Sequence, residues 1–166
     1  MFRICVIVCS ILLCMLIHFN IGESKYVGSS ACFHCHKEEY AIWKISKHAT
    51  SFESLTQNDK KKYYCLSCHT TDGAEYLAGF KIENVECEAC HGMGENHVRA
   101  HTLKDKGLIE ESRMKITNAK ELCLRCHGGD RSLSLESFNY ITKWSKISHG
   151  KNTKKPSRSL CSRWIT

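Results

Sequence analysis

The sequence predicts a mainly α chain with long loops, built around four short cysteine and histidine sites and not around one continuous apolar core. Three observations predict it. Among 12 cysteines in 166 residues, eight fall into four pairs with two residues between, and a histidine directly follows each pair. Residues 37–52 carry apolar and polar positions at helical spacing, with Glu38 and Glu39 in the first turn and Lys44 and Lys47 later, as the helix dipole prefers. The stretches between the pairs are too short for any one of them to bury an apolar core alone.

The chain begins with a candidate leader, residues 1–24. Arg3 precedes an apolar run over residues 4–17 that holds Cys5, Cys9 and Cys14, and a polar stretch follows. This pattern predicts a secretory signal peptide with a cleavage context at Gly22-Glu23-Ser24, or, uncleaved, an N-terminal anchor that tethers the protein to a membrane. The run is short for a span, which takes roughly 20 apolar residues. Residues 25–150 then form the working domain, expected in the periplasm or outside the cell, and residues 151–166 a basic, flexible tail with the orphan Cys161.

The four sites decide the chemistry. They read Cys32-Phe33-His34-Cys35-His36, Cys65-Leu66-Ser67-Cys68-His69, Cys87-Glu88-Ala89-Cys90-His91 and Cys123-Leu124-Arg125-Cys126-His127. Cys-x-x-Cys-His is the covalent attachment sequence of c-type haem. Two thiols one helical turn apart reach the two vinyl groups on one porphyrin edge, and the adjacent imidazole binds the iron as proximal ligand. Zinc and iron–sulfur sites also use such cysteine pairs, but neither requires a histidine after each. The expected cofactor is four covalently bound haem c, with His36, His69, His91 and His127 on the irons. An attachment helix is expected at each site, with further helices over 119–126 and 135–146 and turns at 70–73 and 128–130.

A second axial ligand is usual in an electron carrier, and four histidines remain for it: His48, His97, His101 and His149. His34, between two thiols, is expected to face solvent. His48 shares a helical face with Ala41, Ile45 and Phe52. Twelve residues of helix would place it roughly 18 Å from His36, so it should ligate a different haem from the one its own segment holds. Trp144-Ser145-Lys146-Ile147-Ser148-His149 repeats the five-residue step from Trp43 to His48, which makes His149 another candidate. After the third site, Gly92 and Gly94 permit a sharp turn, with Met93 packed inside it. His97 and His101 then lie four apart on one helical face, each a candidate ligand.

The residues Tyr26-Val27-Gly28-Ser29-Ser30-Ala31-Cys32, then Trp43 and His48-Ala49, then Glu88-Ala89-Cys90-His91-Gly92 with a histidine soon after, resemble the multihaem cytochromes of the cytochrome c554 family. The resemblance spans most of residues 26–149. It implies a multihaem cytochrome c fold with little or no β-sheet, haems in close parallel or perpendicular pairs, and distal histidines that cross between segments. It also implies that one haem can stay five-coordinate, by position the one at His69. Met93 departs from the family, in which proline is usual between the two glycines.

The expected function is transfer of single electrons between a donor and an acceptor protein outside the cytoplasm, with no acid, base or nucleophile in the chain. Two other classes remain: a haem enzyme reducing a small nitrogen oxide at an open iron, and a subunit of an extracellular cytochrome filament. The formal charge of +7 does not call for nucleic acid. Each haem brings two propionates against a ferric core of +1, which leaves about +3 oxidised and about −1 reduced. The lysines and arginines are counter-charge for the cofactors.

Overall fold

The computed structural model describes residues 25–128 and 138–149. The leader, residues 129–137 with most of the expected turn at 128–130, and the tail with Cys161 lie outside them. Among the described residues the structure is helical, and its only sheet-like feature is a pair of isolated bridges from Thr70 to Glu83 and Asn84. No helix there is long and apolar enough to cross a membrane.

The helices follow the attachment sites. The first site straddles α1 (Ser29–Phe33) and α2 (Lys37–Lys44), the second ends α3 (Tyr63–His69), the third fills α5 (Cys87–His91), and the fourth ends α8 (Ala119–His127). Between them lie α4 (Gly73–Leu77), α6 (Glu95–Leu103) and α7 (Lys106–Glu111), with α9 (Tyr140–Ile147) near the end. Side chains start four of these helices. Asp72, Asp105, Asn118 and Asn139 each accept backbone N–H bonds from the first turn.

The expected helix over 37–52 breaks in two. It stops at Lys44, Ser46 turns extended, and a 3₁₀ turn (Lys47–Thr50) carries His48. Ile45, expected on the inner face, is 89 % exposed. The break has a tertiary cause. Trp43 Nε1 donates to the Val85 carbonyl at 2.8 Å, the Val85 N–H donates to the His48 carbonyl at 3.2 Å, and the Phe52 N–H donates to Asn84 Oδ1 at 2.9 Å. The last two bonds satisfy backbone groups that a continuous helix would have paired internally, and the first holds the Trp43 indole against the same loop.

Trp43, Ala49, Phe52, Leu66 and Ala100 are the buried apolar side chains among the described residues. Leu66 lies at the contact of α3 and α4, where Gly73 makes the close approach possible. A Cβ at Gly73 would stand 2.7 Å from the Ser67 nitrogen, inside any permitted contact. Met93, expected to pack inside its turn, is instead partly exposed at 37 %.

Two buried or half-buried glutamates tie the third site to the chain entering the first. Glu88 accepts from the Val27, Gly28 and Gly94 N–H groups at 2.7 to 3.1 Å, and Glu86 accepts from Ser29 N–H at 2.5 Å. Sequence reasoning missed both. The available signal was Glu88 itself, a charge at a motif position where the other three sites carry Phe33, Leu66 and Leu124.

Candidate haem centres

The four sites form a row whose spatial order differs from their order in the chain. The Cys32 and Cys87 thiols are close enough to couple electrostatically, joining sites one and three. Cys126 pairs with Cys68 and approaches the Ser67 carbonyl at 3.9 Å, joining sites four and two. Cys90 feels the charge of Cys123, and Arg125 Nη2 donates to the Ala89 carbonyl at 3.4 Å, joining sites three and four. The row therefore runs one, three, four, two.

Burial and neighbouring sulfur favour the neutral thiol at Cys87, Cys90, Cys123 and Cys126. Burial raises Cys90 and Cys123, and takes Cys126 to about 12 with help from Cys68. In the Cys32–Cys87 pair the interaction between the two thiols pushes Cys87 up and lowers Cys32, so Cys32 ionises first. Cys35 is disulfide-bonded, and that sulfur must be reduced before it can add to a vinyl group.

The histidines arrange as a bis-imidazole set. Two imidazoles on opposite sides of one iron, each bonded at about 2 Å, hold their ring centres roughly 6 Å apart. Three pairs match that span: His36 and His97 at 6.4 Å, His48 and His127 at 6.0 Å, and His91 and His149 at 5.8 Å. Each joins an attachment histidine to a histidine from another segment. Burial holds His48, His91, His97 and His127 below the ordinary histidine range, leaving neutral rings with a lone pair to give.

In the His91–His149 pair both Nδ1 atoms are anchored, as the second nitrogen of a metal-bound histidine usually is. With its proton on Nδ1, His91 donates to the Met114 carbonyl at 3.1 Å and His149 to the Ile147 carbonyl at 3.0 Å. His69 donates to the Ser51 carbonyl at 2.7 Å and lies 3.2 Å from the Ser54 hydroxyl. That orientation frees its Nε2. No histidine faces His69 among the described residues. His101, the fourth distal candidate, packs edge-on against His97 with ring centres 4.7 Å apart. The thiols, the paired rings and the anchored nitrogens together fit covalent haem.

Residues 31–92 match the family model for cytochrome c554 and c-prime. The chain is 31 % identical over 144 residues to cytochrome c-554 of Nitrosomonas europaea, covering 70 % of this chain and 60 % of that relative. The chain belongs to the cytochrome c554 family. Membership makes it a c-type cytochrome with covalently bound haem c, of mainly α fold. The family match contains the first three attachment sites and stops before Cys123, so the fourth rests on its own Cys-x-x-Cys-His sequence and on the facing of His127 and His48. No solved structure matches the chain.

Proposed function

We propose that this member of the cytochrome c554 family is an extracytoplasmic tetrahaem carrier, passing single electrons between a donor and an acceptor protein along the row one, three, four, two. The observation that carries it is the set of three histidine pairs at a bis-imidazole span, each bridging two segments. Haem c supplies a one-electron couple at each iron. The chain does the rest. Cys32 and Cys35, Cys65 and Cys68, Cys87 and Cys90, and Cys123 and Cys126 fix the porphyrin edges. His36, His91 and His127 hold the irons against their partners, and each cross-segment pair clamps one site to another part of the fold. Rigid clamping keeps reorganisation small on electron transfer, because both oxidation states keep the same ligands. The leader pattern in residues 1–24 supports export, which haem attachment also requires.

A second reading is favoured at His69 alone. With a proximal anchor and no facing histidine among the described residues, that iron is open to a small ligand, which supports binding or reduction of a molecule such as a nitrogen oxide there. Both readings are tested together. The intact mass of the purified holoprotein should exceed the mature chain by four haems, and paramagnetic resonance of the oxidised form should show three low-spin haems and one high-spin haem. A mass short of four haems would overturn the tetrahaem reading. Four low-spin signals would remove the open site and leave the carrier. Carbon monoxide added to the reduced protein should bind one iron in four.

His48→Ala tests the cross-clamp. It should leave four haems attached and double the high-spin signal, because the iron held by His127 loses its partner. An unchanged spectrum would show that His48 is not that ligand.

A further inference from the structure

We propose that the first haem has two exchangeable axial ligands, His97 and His101, one helical turn apart on α6. The inference rests on the haem reading above and goes beyond it. His97 faces His36 at 6.4 Å, and the His101 ring meets the His97 ring edge-on at 4.7 Å. His101 therefore lies against the ring that faces His36, one turn further along the same helix. Two imidazoles in contact thus stand beside an iron position that takes one.

The resident ring is also weakly anchored. His69, His91 and His149 each have Nδ1 on a backbone carbonyl within 3.1 Å. His97 Nδ1 is buried and makes no well-formed hydrogen bond among the described residues, its one polar neighbour being a marginal contact with the Ser112 backbone. A metal-bound histidine normally donates its other N–H, and the donation fixes the ring and raises its basicity. His97 is held more loosely than His69, His91 and His149, and a second imidazole is in contact with it.

The exchange is simple. The iron–nitrogen bond to His97 breaks, its lone pair returns to a neutral ring, and the lone pair of neutral His101 forms the new bond. No proton or electron enters from outside. Ligand identity alters iron potential, so an exchange would retune the end of the row farthest from His69.

The test compares His97→Ala, His101→Ala and the double variant as holoproteins. Pyridine haemochrome and intact mass report haem content, and paramagnetic resonance of the oxidised form reports spin state. Each single variant should keep the wild-type number of high-spin haems, with the low-spin g values shifted in at least one. The double variant should gain one high-spin haem, and added imidazole should return it to low spin. A single variant that gains a full high-spin haem would overturn exchangeability. So would single variants both identical to wild type, which would mean that neither ring binds, and these two outcomes decide the matter even if the double variant does not load haem. A wild-type protein without haem would instead overturn the haem reading, and the proposal with it.

Discussion

Glu88→Ala should destabilise the holoprotein by about 3–5 kcal/mol, the sum expected when several buried N–H groups lose a charged acceptor. Glu88 is 2 % exposed. One oxygen accepts from Val27 at 2.9 Å and Gly94 at 2.7 Å, and the other from Gly28 at 2.8 Å and again from Val27 at 3.1 Å. Alanine leaves the buried Gly94 N–H and the half-buried Val27 and Gly28 N–H groups without their acceptor. Glu88→Gln is the informative intermediate. Its carbonyl oxygen can keep the bonds of one carboxylate oxygen, but its NH₂ must face N–H groups where the other stood, so roughly half the loss should remain. Urea unfolding followed by far-UV circular dichroism checks both, and equal stability in the alanine variant would refute the role assigned to the carboxylate.

A chain that cannot attach haem, with serine for the eight motif cysteines, should not fold cooperatively. Five buried apolar side chains among the described residues are a meagre core for a chain of this length. Phe33, Tyr64 and Leu124, each next to an attachment cysteine, are more than a third exposed, so the polypeptide does not cover its own motif faces. Porphyrin faces would supply that missing apolar surface, as a structural metal does for small metal-dependent domains. The expected result is rapid proteolysis throughout residues 25–149 and a far-UV spectrum without a thermal transition. A sharp cooperative melt in the octa-serine chain would refute it.

Much of the site was legible because haem attachment is written locally. Four contiguous motifs name twelve residues, and His48 and His149 stand out through their matching Trp-to-His step. What the sequence hid was set by long-range contacts. The break after Lys44 depends on bonds to Asn84 and Val85, about forty residues away, and helical periodicity carries no trace of them. Periodicity also placed His97 and His101 on one face without ranking them, because i and i+4 are equivalent until the opposing ring is known. Only the position of His36 separates them. The premise of an unbroken helix from His36 to His48 failed, yet the conclusion that His48 serves another segment agrees with its place opposite His127, now for a different physical reason.

The mismatch between chain order and neighbour order has a consequence for biogenesis. A polypeptide delivered N-terminus first completes its second attachment sequence well before the fourth exists. Cys126 and Ser67, in contact in the finished fold, are 59 residues apart. On the proposed reading, in which haem is attached outside the cytoplasm, the newly loaded second site would wait in solvent with one broad apolar face bare while the intervening chain is exported. Maturation has a vulnerable interval built into its topology, during which self-association competes with folding. A stall in export between residues 69 and 123 should lengthen it, whereas a stall after residue 149 should do no harm.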